Sequence, residues 1–480
     1  MLNQSVSKYG LATHLAIAAG LPVAMSQFVS AHLLGCISLW LSLYAALWIV
    51  MEPSVFSGET VSIARRRVLN GILRDPFAWF LSFAVLFCWV RWLNSGLKLA
   101  FDAEASVWAV RGPLLPLLPA SAGDAAFLPF AAVVVMSVVV IGVKHSLGRN
   151  ARVWFGVFSS AITAVGGMAA AICAGLGMEP FGAAATASFG AESFPGTLYA
   201  LFLLVAIACG VEAEERGLTK ARLVFAWSVA GNIVGTYVFL PAILSLSYLG
   251  VALLVAVVSF AFANQRTSTA AMARALAMFF FGVVIATFAV MVSPNKDIQR
   301  SKGEGLSIEK SFPVALADRN AALRRISKSM WLTEPWSGVG IGGFPLQTPF
   351  NVVEEEWMVL PPEPKDGSNL YFTLIAERGI VGALMWALWI GFLLWFWGAR
   401  LIGALKWHGG LDEGRTVMLD MPTVVWIGPV VLALAAVDAW FSVGGPLAPL
   451  FVCVTVAMSL SAASFPRRRR TAVDKDDNRG

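Results

Sequence analysis

The chain has 480 residues, of which 58% are hydrophobic and only 13% charged, with a mean hydropathy of +0.73 and a net charge of +6. Soluble domains carry about 25% charged residues, so a water-soluble globular protein is excluded. Apolar runs of about 17–25 residues recur along the whole length, each long enough to cross a bilayer as a helix. Only helices and closed barrels satisfy every backbone group in lipid, and these runs are continuous rather than alternating. The expected fold class is therefore all-α: a polytopic integral membrane protein of about twelve transmembrane helices.

In chain order, the predicted spans lie near 10–29, 32–51, 77–97, 127–143, 153–176, 196–211, 223–240, 242–263, 275–293, 371–397, 423–441 and 445–462. The first pair, and the pair around Pro241, are tight hairpins. With the N-terminus in the cytoplasm, every inner loop receives cations: Arg65, Arg66, Arg67 and Arg74, then Lys144, Arg149 and Arg152, then Arg216, Lys220 and Arg222, then Arg266 and Arg274, then Arg400, Lys406 and Arg415, and last Arg467 to Arg470. Short outer loops receive almost none, which is the positive-inside rule. An odd number of spans breaks this pattern, so both termini are expected in the cytoplasm. The organisation is then a bundle of nine spans over 1–293, an outer loop over 294–370, three more spans within 371–465 and a basic cytoplasmic tail over 466–480. The positive net charge reflects topology, and no nucleic-acid partner is expected. The tail arginines suit a plain cytoplasmic anchor or anionic lipid heads.

The first apolar stretch runs into a second span without the short apolar core and cleavage site of a signal peptide, so no cleaved leader is expected. Five cysteines, Cys36, Cys88, Cys173, Cys209 and Cys453, all fall inside predicted spans, which argues against a disulfide framework. Four histidines, His14, His32, His145 and His408, complete the set, and no metal-ligand spacing occurs. No metal or other cofactor is expected.

The loop at 294–370 is the longest polar segment, and long structured loops often carry function. Its "SFPVALADRNAALRRISKSMWLTEP" reads as an amphipathic helix, with Leu316, Leu323, Ile326 and Met330 in one stripe, Pro313 at its start and Pro335 at its end. Arg319, Arg324, Arg325 and Lys328 place four cations within ten residues on the side of the membrane where the charge bias disfavours them. They fit a site for phosphate, to which arginine offers a bidentate fork; a solvated face or contact with lipid heads fits equally. Next, "EPWSGVGIGGFPL" has glycines at 338, 340, 342 and 343 but lacks the ending of a P-loop, and reads as a compact turn allowing close backbone approach. Glu354, Glu355 and Glu356 form a solvated run. In "DGSNLYFTLIAERGIVG", Asp366 and Glu377 sit near the membrane mouth, where a catalytic carboxylate is useful.

An arginine-bearing outer helix, then a "P..GVG.GGF" turn, then "N.Y..L.AERGIVG" opening a span: this order resembles the O-antigen ligase and O-antigen polymerase superfamily, integral membrane glycosyltransferases of bacterial envelopes. The motif match covers roughly 319–382, and the remainder agrees in topology. The resemblance implies about twelve spans in the bacterial inner membrane, with the main periplasmic loop before the last three. It implies transfer of a glycan from a polyprenyl-pyrophosphate carrier at the periplasmic face, to a glycan or lipid acceptor, without metal or nucleotide. Arginines hold the pyrophosphate in such enzymes. Arg319 lies closest to the family's loop arginine, with Arg324 and Arg325 as near alternatives, and Arg91 in "CWVRWLNSG" is a further phosphate ligand or a snorkelling arginine.

Two departures stand out. The histidine proposed in relatives to activate the acceptor hydroxyl is replaced by Ser368, before Asn369, and 294–370 holds no histidine. Tyr248 stands near the position of a second family arginine. Asp366 or Glu377 is then the acid–base candidate, with Ser368 as a hydrogen-bonding substitute. Their structural readings are a D-G turn for Asp366 and an ion pair with Arg378 or a cap for Glu377. Two other classes compete: a transporter or flippase of lipid-linked glycan, which calls for mid-membrane charges such as Asp438 and paired repeats, and a catalytically silent relative.

Overall fold

A computed structural model gives the structure of the chain and describes residues 2–25, 28–29, 31–51, 61–96, 98–102, 105–111, 121, 127–176, 194–215, 217–239, 249–250, 252–254, 265–292, 312–358, 360, 367, 372–385, 387–388 and 391. The predicted spans 423–441 and 445–462, most of 242–263, the basic tail, and Tyr248, Asp366, Ser368, Asn369 and Asp438 lie outside the described residues.

The described chain is mostly helical. Its bundle comprises α1 (Leu2–Met25), α2 (Ala31–Met51), α3 (Val61–Leu73), α4 (Pro76–Leu93), α5 (Phe127–Ser146), α6 (Arg149–Gly175), α7 (Phe194–Glu215), α8 (Thr219–Phe239) and α9 (Gln265–Val292). Among the described residues, three helical stretches are long and apolar enough to cross a membrane: His32–Met51, Pro76–Leu93 and Asn150–Cys173. Shorter apolar stretches occupy Gly10–Met25, Phe130–Ser146 and Ala273–Ala289. Large apolar side chains form exposed stripes at helical spacing, Trp40, Leu43, Leu47 and Val50 on α2 and Trp79, Phe83, Leu86 and Leu93 on α4. In water such stripes drive association; in a bilayer they face a matching solvent.

The bundle packs by close approach and internal polar bonds. Helix α8 lies against α6, α7 and α9, and α1 lies against α6. A Cβ added at Gly167 would stand 2.4 Å from the Gly231 carbonyl, and one at Gly231 would stand 2.6 Å from the Ala164 Cβ. Small residues let membrane helices meet this closely where no hydrophobic force separates helix from lipid. Across the same seam, Thr163 Oγ1 donates to Asn232 Oδ1 at 2.9 Å and Asn232 Nδ2 donates to the Ser160 carbonyl at 2.8 Å, while within α8 it also donates to the Ser228 carbonyl at 2.8 Å.

Helices α4 and α5 are antiparallel neighbours fastened at both ends. Asp75 caps α4 by accepting from the Phe77 amide at 3.1 Å, and its other oxygen accepts from Lys144 Nζ at 2.5 Å and His145 Nε2 at 2.8 Å. Burial pushes the Asp75 carboxyl up, but the His145 and Lys144 contacts and the Phe77 amide outweigh it and bring its pKa down to about 2. At the other end Trp92 packs on Phe127 and Phe130, with ring centroids 5.1 and 5.3 Å away. Arg91 is at this second end.

Two elements were not anticipated from sequence. Helix α3 is an amphipathic helix in a segment that reads as a basic loop, and buries Ala64 and Val68. Between α4 and α5, β1 (Lys98–Asp102) and β2 (Val107–Arg111) form an antiparallel hairpin.

Candidate functional site

Three segments meet at the Arg91 end of α4, the first two consecutive and the third separate in sequence. The first is α10 (Phe312–Thr333), which begins beside Pro313 and stops before Pro335. Its Ala322, Leu323, Ile326 and Met330 are buried in a small core with Val339, Phe344, Leu360 and Ala376. The side chain of Arg319, the loop arginine expected from sequence, lies outside the described residues.

The second segment is the glycine turn, 334–343, which leads into the short helix α11 (Phe344–Gln347). The third is the helix over 372–385 (α12), which is not regular. Gly379 has φ +60°, a left-handed value that no right-handed helix interior accommodates. The glycine turn fills the break. The Val339 and Gly340 amides donate to the Ala376 and Glu377 carbonyls at 2.8 and 3.1 Å, and the Ile380 and Val381 amides donate to the Pro335 and Trp336 carbonyls at 2.8 and 3.4 Å. Two amides and two carbonyls that the break frees are thus satisfied by the turn, as burial requires. The contact is backbone against backbone: a Cβ at Gly338 would lie 2.4 Å from the Glu377 carbonyl carbon, and one at Gly379 would lie 2.4 Å from the Trp336 oxygen. Gly338, Gly340 and Gly342 also have positive φ.

Arg91 clamps this junction from the bundle side. It is fully buried. One terminal nitrogen donates to the Glu377 carbonyl at 2.6 Å and to the Ser337 carbonyl at 3.1 Å. Its guanidinium lies 5.8 Å from the centre of the Phe87 ring. Among the described residues, its Nε and the other terminal nitrogen have no hydrogen-bond partner. Ser121 donates its hydroxyl to the Arg91 carbonyl and bridges Ser95 to Ile341 of the glycine turn. The Glu377 carboxylate accepts from the Gly342 amide at 2.9 Å and the Phe344 amide at 3.4 Å, so it holds the start of α11. Arg378 is buried beside it. The structure therefore brings together the buried side chains of Arg91, Glu377 and Arg378.

The other candidates are placed differently. The Arg325 fork is engaged: Nε donates to Glu356 at 2.5 Å, one terminal nitrogen donates to the other Glu356 oxygen, and that nitrogen also donates to the Asn351 carbonyl at 2.7 Å. The hydrogen bond to Glu356 raises the Arg325 pKa, and the Arg325 bond holds the Glu356 carboxyl below its usual range. Glu356, expected in a solvated run, is thus a partner that ties α10 to the segment after α11. Arg324 is half-buried on the same helix. Asp366, Ser368 and Asn369 lie outside the described residues, but Gly367 between them is buried, donates its amide to Thr373 Oγ1 at 2.9 Å, and has its Cα hydrogens against Ser327 of α10.

Sequence reading missed two participants, Ser121 and the break at Gly379, and named Arg378 only as an ion-pair partner for Glu377. The signal for the break was present, because a glycine following two charges inside an apolar run marks a discontinuous membrane helix. No protein-family model matches the chain, and no curated protein matches it.

Proposed function

We propose that the chain is a membrane glycosyltransferase of the O-antigen polymerase or ligase type, acting on a polyprenyl-pyrophosphate-linked glycan at the periplasmic face of the bacterial inner membrane. In this reading about twelve spans cross the bilayer, both termini are cytoplasmic, and the α10 segment, the glycine turn and α12 form the catalytic unit. The observation that carries it is the packing of α12 against the consecutive α10 and glycine turn, from which it is separated in sequence, through one small core and one set of exchanged backbone bonds. Arg91 and the Asp75–Lys144–His145 cluster sit at opposite ends of α4, as an outer site and an inner basic surface require.

The chemistry follows from the residues. Departure of a pyrophosphate needs stabilisation of developing negative charge more than it needs a strong base. Arg319 and Arg324 are the carrier-facing candidates on α10. Arg325 orders the loop through Glu356 instead. Arg91 and Arg378 supply positive charge at the membrane end, and Arg91 has two N–H directions open. Glu377 holds backbone amides, which leaves Asp366 as the stronger candidate for the acid–base group, with Ser368 and Asn369 orienting the acceptor. The commitment of Glu377 to the turn, together with the missing histidine, also favours a second reading, a silent relative that binds carrier lipid without transferring glycan.

The test is transfer in proteoliposomes with a polyprenyl-pyrophosphate oligosaccharide as donor. Arg319→Ala is expected to lower transfer by about one to two decades, since a charge-assisted bond contributes roughly 1.5–3 kcal/mol, and Arg319→Lys to restore it in part. Ladder formation indicates a polymerase, and capture by lipid A-core a ligase. Donor binding without product in the native protein, with product appearing in Ser368→His, establishes the silent relative.

A further inference from the structure

The hairpin between α4 and α5 has one wholly apolar face. In the register, Leu99 faces Val110 and Phe101 faces Trp108, while Lys98 faces Arg111, Ala100 faces Ala109 and Asp102 faces Val107. Residues opposite each other in an antiparallel pair share a face. Leu99, Phe101, Trp108 and Val110 therefore line one side, and the other carries Lys98, Ala100, Asp102, Val107 and Ala109. Phe101 and Trp108 pair edge to face at 5.5 Å. Nothing in the described structure covers this side: Leu99 is 44% exposed, Phe101 52% and Trp108 58%.

A lone two-stranded hairpin is marginal in water. Its position says what covers it. The strands start five residues after Leu93, the last residue of α4, one of the helices long and apolar enough to cross a membrane. The root is fastened there as well, since the Gly96 amide donates to the Ser121 carbonyl at 3.1 Å and the Ser121 hydroxyl is bonded to the Arg91 carbonyl within α4. At about 3.3–3.6 Å per residue, the intervening chain cannot carry the strands clear of the interface where α4 emerges. Tryptophan and phenylalanine are suited to that interface, and an amphipathic element there buries its apolar side among the acyl chains.

We propose that the hairpin lies flat on the membrane surface with the Leu99, Phe101, Trp108, Val110 face inserted into the leaflet on the side of the glycine turn. The same root bonds Ser121 to Ile341 of the turn, so the inserted face fixes the height of the Arg91 junction relative to the lipid headgroups. This surface is independent of the glycosyl-transfer reading.

The test is photocrosslinking of the full chain in vesicles of phosphatidylethanolamine and phosphatidylglycerol. p-Benzoylphenylalanine replaces Phe101 or Trp108 on the apolar face, and Lys98 or Ala109 on the other, with four separate variants so that a poorly folding one leaves the comparison of faces intact. Lipid adducts detected by mass at the first two positions, and several-fold fewer at the second two, are expected. Equal adducts on both faces, or none on either, overturn the proposal. A crosslinked dimer at Phe101 or Trp108 assigns the face to a second copy of the chain and also overturns it.

Discussion

Replacing Gly379 by alanine tests whether the broken helix and the glycine turn are one unit. An alanine there must hold φ near +60°, and its Cβ would stand 2.4 Å from the Trp336 oxygen, 2.5 Å from the Trp336 carbonyl carbon and 2.6 Å from the Gly338 amide. These are backbone atoms, so no side chain can swing aside and the turn itself must lift. Lifting it breaks the four exchanged bonds, from Val339, Gly340, Ile380 and Val381. At about 1 kcal/mol net each, with roughly 1–2 kcal/mol for the left-handed alanine, about 5 kcal/mol is at stake. That is more than three decades in the local opening equilibrium, since about 1.4 kcal/mol is tenfold. The bundle does not share these bonds and should stay folded. Hydrogen exchange in detergent is therefore expected to accelerate over 334–343 and 376–381 in Gly379→Ala, with α6 and α8 unchanged. Gly391, with no atom of the described residues within 4 Å of an added Cβ, is the control, and Gly391→Ala should behave as wild type. Native exchange rates at Val339 and Gly340 in Gly379→Ala would refute the interlock.

Arg91→Lys should retain charge but not the shared contact to the Ser337 and Glu377 carbonyls, so exchange at the turn should rise by about one to two decades, from roughly 1.5–3 kcal/mol for hydrogen bonds to a charged group; unchanged exchange makes Arg91 dispensable as a clamp. Arg325→Ala and Glu356→Gln should have similar effects on proteolysis of the loop, and the double variant should be no worse than either, because both remove one pair; additive losses show separate roles. For Asp75, the folded pKa of about 2 lies below the ordinary carboxyl value of 3.8, so its contribution is present above the unfolded pKa and is lost as pH falls through about 2. Thermal stability in detergent should accordingly drop between about pH 4 and pH 2, and Asp75→Asn should be less stable at neutral pH and flatter across that window; an unchanged acid limb removes Asp75 as its cause.

What the sequence made legible tracks the range of the interaction. The stripe Leu323, Ile326, Met330 announced α10 because helical periodicity is local, and Pro335 announced its end. Continuous apolar runs announced the bundle for the same reason. The hairpin was readable too: "KLAFD" and "VWAVR" alternate with period two across a short turn, but the search for twenty-residue runs passed over it. The partner of the glycine turn was not readable. Glycines at 338, 340 and 342 signal close approach, yet nothing local says that the approaching backbone is Ala376 to Val381. The pairing of Arg325 with Glu356 was hidden likewise, because sequence distinguishes a free cation on a helix from a bonded one only when the partner is a helical neighbour.

Arg91 shows why the site demands both levels. Residue type and depth mark it as functional, since an ionisable group in a membrane span is costly, but two opposite roles satisfy that mark. As a clamp it offsets its burial by bonding the Glu377 and Ser337 carbonyls, and the two unpartnered nitrogens remain an unmet desolvation penalty. As a phosphate ligand it meets that penalty only when an anion arrives, and because it is fully buried, arrival requires the glycine turn to part from α12. Under the proposed function the two roles are compatible in one side chain: one terminal nitrogen clamps the turn, and the other two nitrogens are left for an anion. A carrier that binds here should open the 334–343 segment while protecting Arg91, and in Arg91→Lys donor should no longer change exchange at the turn.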